Sequence, residues 1–113
     1  MSFGTLSERE LRLVDRLGGI KEIRVYELGY PAASVMMLFF FVQGHARYCA
    51  LSSARNVVKE FKAFSTMYAF LRKNCPKYMA HRIEHDQTLF DFHVLKREPV
   101  VDDKELVFDE AEA

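Results

Sequence analysis

The chain has 113 residues, half of them apolar, with ten Phe and five Tyr. That is enough chain for one domain and ample material for a core, which excludes general disorder. Sixteen basic and sixteen acidic residues cancel, so no strongly basic or acidic balance defines a partner from composition alone. The charges are nonetheless segregated along the chain. Between His45 and Arg82, eight Lys or Arg face only Glu60, leaving +7; from Asp102 to Ala113, six acids face only Lys104, leaving −5.

Met1 to Arg9 is polar, so no secretory signal is expected. The longest apolar run, Val35 to Val42, has eight residues, whereas a membrane-spanning helix needs about 20. The two cysteines, Cys49 and Cys75, are too few for a disulfide framework. A cytoplasmic protein with reduced thiols and no membrane contact is the expectation.

The first predicted element is a helix from about Glu8 to Leu17. Ser7 and Glu10 have the spacing of a capping box, Leu6 and Leu11 that of a hydrophobic staple, and Gly18-Gly19 supplies the stop. Leu6, Leu13, Val14 and Leu17 are expected on one face; Arg9, Arg12 and Arg16 share another, read as solvated. The opening Leu6 to Glu10 resembles that of some helix-turn-helix regulators. After Gly19, however, Ile20, Ile23, Val25 and Tyr26 form a strand-like pattern, which excludes that motif.

A strand is predicted from Ile20 to Leu28, broken by Gly29-Tyr30-Pro31. The next strand, Ser34 to Val42, is apolar throughout, so it should be central and covered on both faces, by the first helix or by another subunit. Gln43-Gly44 is a turn into a third strand, His45 to Ser52; a fourth runs from Val57 to Lys62. Ser65 is the expected cap of a second helix, Thr66 to Lys73, with Phe64, Met67, Tyr68 and Leu71 as its core stripe. Lys77 to His85 and Thr88 to Lys96 read as a hairpin around Asp86-Gln87, with a helical turn at His81 to His85 as the alternative. The expected fold is therefore α+β: an N-terminal helix, an antiparallel meander of about four strands, one packed helix and a C-terminal β-hairpin. Residues 1–98 form the domain, and 99–113 an acidic tail.

No phosphate-binding glycine loop and no nucleophile elbow occur. In the expected hairpin His93 points away from His81 and His85, so no metal site and no cofactor are expected. Neither cysteine has a recognisable base, and the paired acids lie in a loop or the tail, so the protein is read as not an enzyme. The basic stretch is what remains. Arg47, Arg55, Lys59, Lys62, Arg72, Lys73 and Lys77 are the candidate nucleic-acid contacts, the first four on or beside one hairpin.

The segment Gly44 to Asn74, with Ser52 to Arg55, Phe61-Lys62 and Phe70-Leu71-Arg72, resembles small partition- or stability-type accessory proteins of conjugative plasmids and integrated elements. The resemblance implies a mobile-element context and an adaptor or nucleic-acid role, with no active-site residue. The hairpin-plus-helix order is also similar to the arm-binding domains of tyrosine recombinases, from whose open sheet the apolar strand 34–42 departs. The expected function is a non-enzymatic accessory protein binding nucleic acid. The alternative is a homodimeric interaction module with an acidic protein partner.

Overall fold

A computed structural model describes residues 3–29, 34–53 and 57–95. The tail expected at 99–113, and Arg55, lie outside them. The described residues form an α+β domain in the order β1 (Gly4–Leu6), α1 (Glu8–Arg16), β2 (Ile20–Gly29), β3 (Ser34–Val42), β4 (Cys49–Leu51), β5 (Glu60–Phe61), α2 (Phe64–Asn74), α3 (Pro76–Glu84) and β6 (Asp91–Leu95).

The α1 start signal forms as its sequence dictates. The Glu10 amide donates to the Ser7 hydroxyl at 3.1 Å and the Ser7 amide to Glu10 Oε1 at 2.8 Å, closing the capping box. Leu6 and Leu11 are both buried in one cluster. At the other end Gly18 adopts φ 73° and donates to the Asp15 carbonyl, while Gly19 donates to that of Val14. This Schellman arrangement needs a left-handed residue at Gly18, where a Cβ would be strained. The expected apolar face is corrected, however. Leu13 and Leu17 are 52% and 74% exposed, and the buried side chains of the helix are Leu11 and Asp15.

Strand β3 is central, as its composition requires. It pairs antiparallel with β2 along one edge, and with β4 and β5 along the other. Phe39 and Phe40, adjacent and so on opposite faces, are both 0% exposed. On one face Leu38 and Phe40 join Leu11, Met67, Leu71, Tyr78 and Met79, so all three helices pack on that side. The other face, expected to be closed by α1 or by another subunit, is not closed by α1, which packs on the first side. There Met37 and Phe39 form a separate cluster with Tyr26, Leu28, Tyr48 and Ala50. Phe3 and Tyr26 set their rings edge-on to Phe39, with centroids 5.0 and 5.1 Å away.

The sheet is mixed and six-stranded, not an antiparallel meander. Strand β1 runs parallel to β4, and β6 parallel to β2. The predicted fourth strand shrinks to β5 and pairs with β3, touching the third only through a bridge from Ser52 to Val58. The C-terminal hairpin does not form. Its first half is α3, begun by Pro76 at the first helical position, where a missing amide costs nothing. Tyr78 and Met79 are the buried residues of α3, and Asp86, with φ 51°, turns the chain at its end. Helix α2 also begins earlier than expected: Ala63 is the residue before it, no side chain caps it, and Ser65 lies inside.

Helix α3 takes its cap from a distant element. Asp15 of α1 is 3% exposed, and its two carboxylate oxygens accept the amides of Lys77 at 3.0 Å and Tyr78 at 2.8 Å. The carboxylate thus answers two of the amides that a helix start leaves open, at the positive end of the helix dipole. In return Lys77 Nζ donates to the Arg16 carbonyl at the end of α1, at 3.4 Å. Asp15→Ala should lower unfolding stability by about 2 kcal/mol, because two helix-start amides lose their acceptor. Urea unfolding checks this, and an unchanged midpoint would show that water replaces the carboxylate without loss.

Candidate nucleic-acid interface

Of the seven basic residues expected to bind nucleic acid, Arg55 lies outside the described residues, and the other six are spread over several elements. Arg47 is exposed in the turn between β3 and β4, beside Gly4 of β1. Lys59 precedes β5 and holds its ammonium over the Phe61 and Phe70 rings, 5.5 and 5.9 Å from their centroids. Lys62 is exposed just before α2. Arg72 and Lys73 occupy the last turn of α2, and Lys77 the first turn of α3. Eleven residues of mostly helical chain place Lys62 roughly 16 Å from Lys73.

What the structure does bring together is a second set. Where α1, α2 and α3 meet, Arg12 and Arg16 join Lys73 and Lys77 around one cleft. Next to it, and sharing Asp15 and Lys77, a cavity of about 300 Å³ is lined by Lys21, Lys77, His81 and Arg82, with Tyr78 and Gln87. Lys73 and Lys77 come from the predicted set; Arg12, Arg16, Lys21 and Arg82 do not. The spacing of Arg12 and Arg16 put them visibly on one helix face, but only the packing of α1 against the α2–α3 junction shows what lies beside them.

The geometry of this belt is set by polar contacts beneath it. Arg12 Nη1 bridges the Glu8 carboxylate and the Asn74 side-chain oxygen, both at 3.0 Å. Asn74 is buried and donates back to the Phe70 carbonyl at 2.9 Å, so it ties the end of α2 to α1. Arg82 donates to the Lys21 carbonyl at 3.0 Å and to the Gln87 side chain, with its guanidinium 5.2 Å from the Tyr78 ring centroid. Among the described residues Arg16, Lys21, Lys73, Lys77 and Arg82 make no ion pair, and the nearby Asp15 carboxylate is already bonded to α3. The surface therefore carries net positive charge that the described residues do not cancel.

Other polar groups have different uses. On the opposite sheet face Glu22 accepts from Arg24 Nε at 2.9 Å and from the Tyr48 hydroxyl at 2.7 Å. Burial pushes the Glu22 carboxyl up, but the Tyr48 hydroxyl and Arg24 outweigh it and hold it below its ordinary value. Cys49 Sγ lies 3.7 Å from His45 Nδ1, a pair that the sequence reading did not connect. The thiol is buried and pushed up by that burial, the reverse of an activated nucleophile. Cys75 is fully buried, and burial raises it much further. His81 and His85 touch edge to face at 4.4 Å between centroids, while His93 stacks on Tyr26 at 4.9 Å. Among the described residues no three His, Cys, Asp or Glu side chains gather as metal ligands.

No family model, curated protein or solved structure is matched by this chain. Among the described residues no helix is long and apolar enough to cross a membrane.

The Glu22 contacts give a pH dependence of definite sign. A carboxyl lowered in the folded state contributes stability above its unfolded value of about 4.3, and loses it as pH falls through the lower folded value. Thermal melts of wild type and Glu22→Gln should differ most near neutrality and converge below about pH 4. A gap unchanged by acidification would show that the Tyr48 and Arg24 bonds do not depend on the charge.

Proposed function

We propose that the protein is a non-enzymatic accessory protein that binds nucleic acid through the basic belt at the α1–α2–α3 junction. The observation that carries this reading is the convergence of Arg12, Arg16, Lys21, Lys73, Lys77 and Arg82 from separate stretches of chain. Positive side chains repel one another, and a cluster of six that faces only the Glu8 and Asp15 carboxylates fits a polyanion. The resemblance of residues 44–74 to plasmid accessory proteins agrees with this role and suggests a mobile-element setting. Arg47, Lys59, Lys62 and Arg72 lie outside the belt and serve at most as flanking contacts.

Duplex binding should weaken steeply with salt, with a log–log slope of about −0.9 for each phosphate neutralised. Replacing Arg16 and Lys73 together by Gln should flatten that slope by about two such increments, since neither side chain has an ion pair to lose. Fluorescence anisotropy on a short duplex at several salt concentrations measures both. Absence of binding to duplex or single strand at low salt would remove the reading.

We propose in addition a homodimer contact along the β6 edge of the sheet. Strand β6 is an edge of the sheet with one partner strand among the described residues, and an open edge is a template for another chain. Phe92 on β6 is 56% exposed and lies 5.9 Å from the exposed Phe64 ring. Sedimentation should show a dimer at tens of micromolar that Phe92→Lys converts to monomer. A wild-type monomer at that concentration would exclude the contact.

A further inference from the structure

Not all of the belt is open surface. Its β2 side sinks into the cavity of about 300 Å³, where Lys21 from β2 meets Lys77, His81 and Arg82 from α3. We propose that this cavity is a phosphate site, seating one phosphate group of the nucleic-acid backbone; the proposal rests on the nucleic-acid reading above.

Three fixed positive charges stand around one space. Arg82 is already oriented: two of its N–H groups are held by the Lys21 carbonyl and by Gln87, and Tyr78 supports the plane of its guanidinium. A guanidinium has five N–H donors, so three remain for an anion, in the fork geometry that suits phosphate oxygens. Holding the fork in advance lowers the entropy lost on binding. The Lys21 ammonium has no ion pair or hydrogen bond among the described residues. Lys77 is held near the Arg16 carbonyl, at 3.4 Å.

The one carboxylate in the wall, Asp15, does not oppose this. Both of its oxygens accept amides at the start of α3, and that helix end offsets its charge. The anion is therefore recognised by side chains, since those two helix-start amides are already occupied.

The choice of a backbone phosphate over an isolated carboxylate comes from Lys77. It lines this cavity and also the neighbouring cleft of Arg12, Arg16 and Lys73. Two basic sites that share a lysine suit an anion that recurs along a chain. Within the cavity the flat Tyr78 ring is buried under Arg82 and is not presented for base stacking. The contact is thus to backbone, which carries no sequence information of its own.

The test uses the full chain, with inorganic phosphate as one probe and a short duplex as the other. In amide NMR titrations at constant ionic strength, phosphate should give saturating shifts centred on Lys21, Lys77, His81 and Arg82. Arg82→Gln should weaken that binding about tenfold and reduce the duplex salt slope by about 0.9. Because Arg82 also bonds the Lys21 carbonyl, Lys21→Gln serves as a second variant; among the described residues its side chain has no hydrogen bond or ion pair to lose. Folding of each is checked by circular dichroism. Shifts that stay linear and spread over Lys59, Lys62 and Arg47 alike would overturn the site. So would a folded Lys21→Gln with unchanged phosphate affinity, or a duplex salt slope indifferent to both variants. Saturable phosphate binding without any duplex binding would leave the cavity standing as a phosphate site, and only the nucleic-acid reading would fall.

Discussion

The arrangement of the helical layer depends on one buried carboxylate. Asp15 sits near the end of α1 and bonds the first amides of α3, while Lys77 of α3 returns a bond to the Arg16 carbonyl of α1. The negative end of one helix and the positive end of the other are thereby joined through side chains of opposite charge. This contact ties the start of α3 to the end of α1, where Lys73, Lys77 and Arg82 lie beside Arg12, Arg16 and Lys21. A surface of like charges is unfavourable to assemble. Here it is held chiefly by the Asp15 bonds to the α3 amides, which use none of the belt's cationic groups.

Below this layer, β3 divides the domain into two cores. Its run of apolar residues is buried against helices on one side and against aromatic side chains of the sheet on the other. The helical face is the larger and holds most of the long aliphatic residues. The second face is built from ring contacts and the Glu22–Arg24–Tyr48 bonds, a more polar and directional set.

The parts legible in the sequence were those decided by local chemistry. Ser7, Glu10 and Gly18 define α1 within one stretch of chain, and the composition of β3 alone requires two covered faces. The parts that were not legible depend on contacts far apart in sequence. Lys77 to His85 alternates well enough to pass for a strand, and only the carboxylate of Asp15, 62 residues before Lys77, makes the helix start satisfactory. Parallel pairing of β1 with β4 and β6 with β2 leaves no turn signal to read. The site fails for the same reason. A count of charges along the chain finds Lys73 and Lys77, but the partners supplied by α1 and β2 are set by packing, and Arg12 and Arg16 read equally well as a solvated face.

Cys75 lies between α2 and α3, at the joint that the Asp15 contact stabilises. Its thiol is wholly enclosed, and burial pushes it up, against the thiolate. Thiol reagents attack the thiolate and need access, so in the closed domain this cysteine is chemically silent. It becomes reactive only when the helices part. The rate of its alkylation is therefore a clock for opening of the helical layer, built into the chain with no added label.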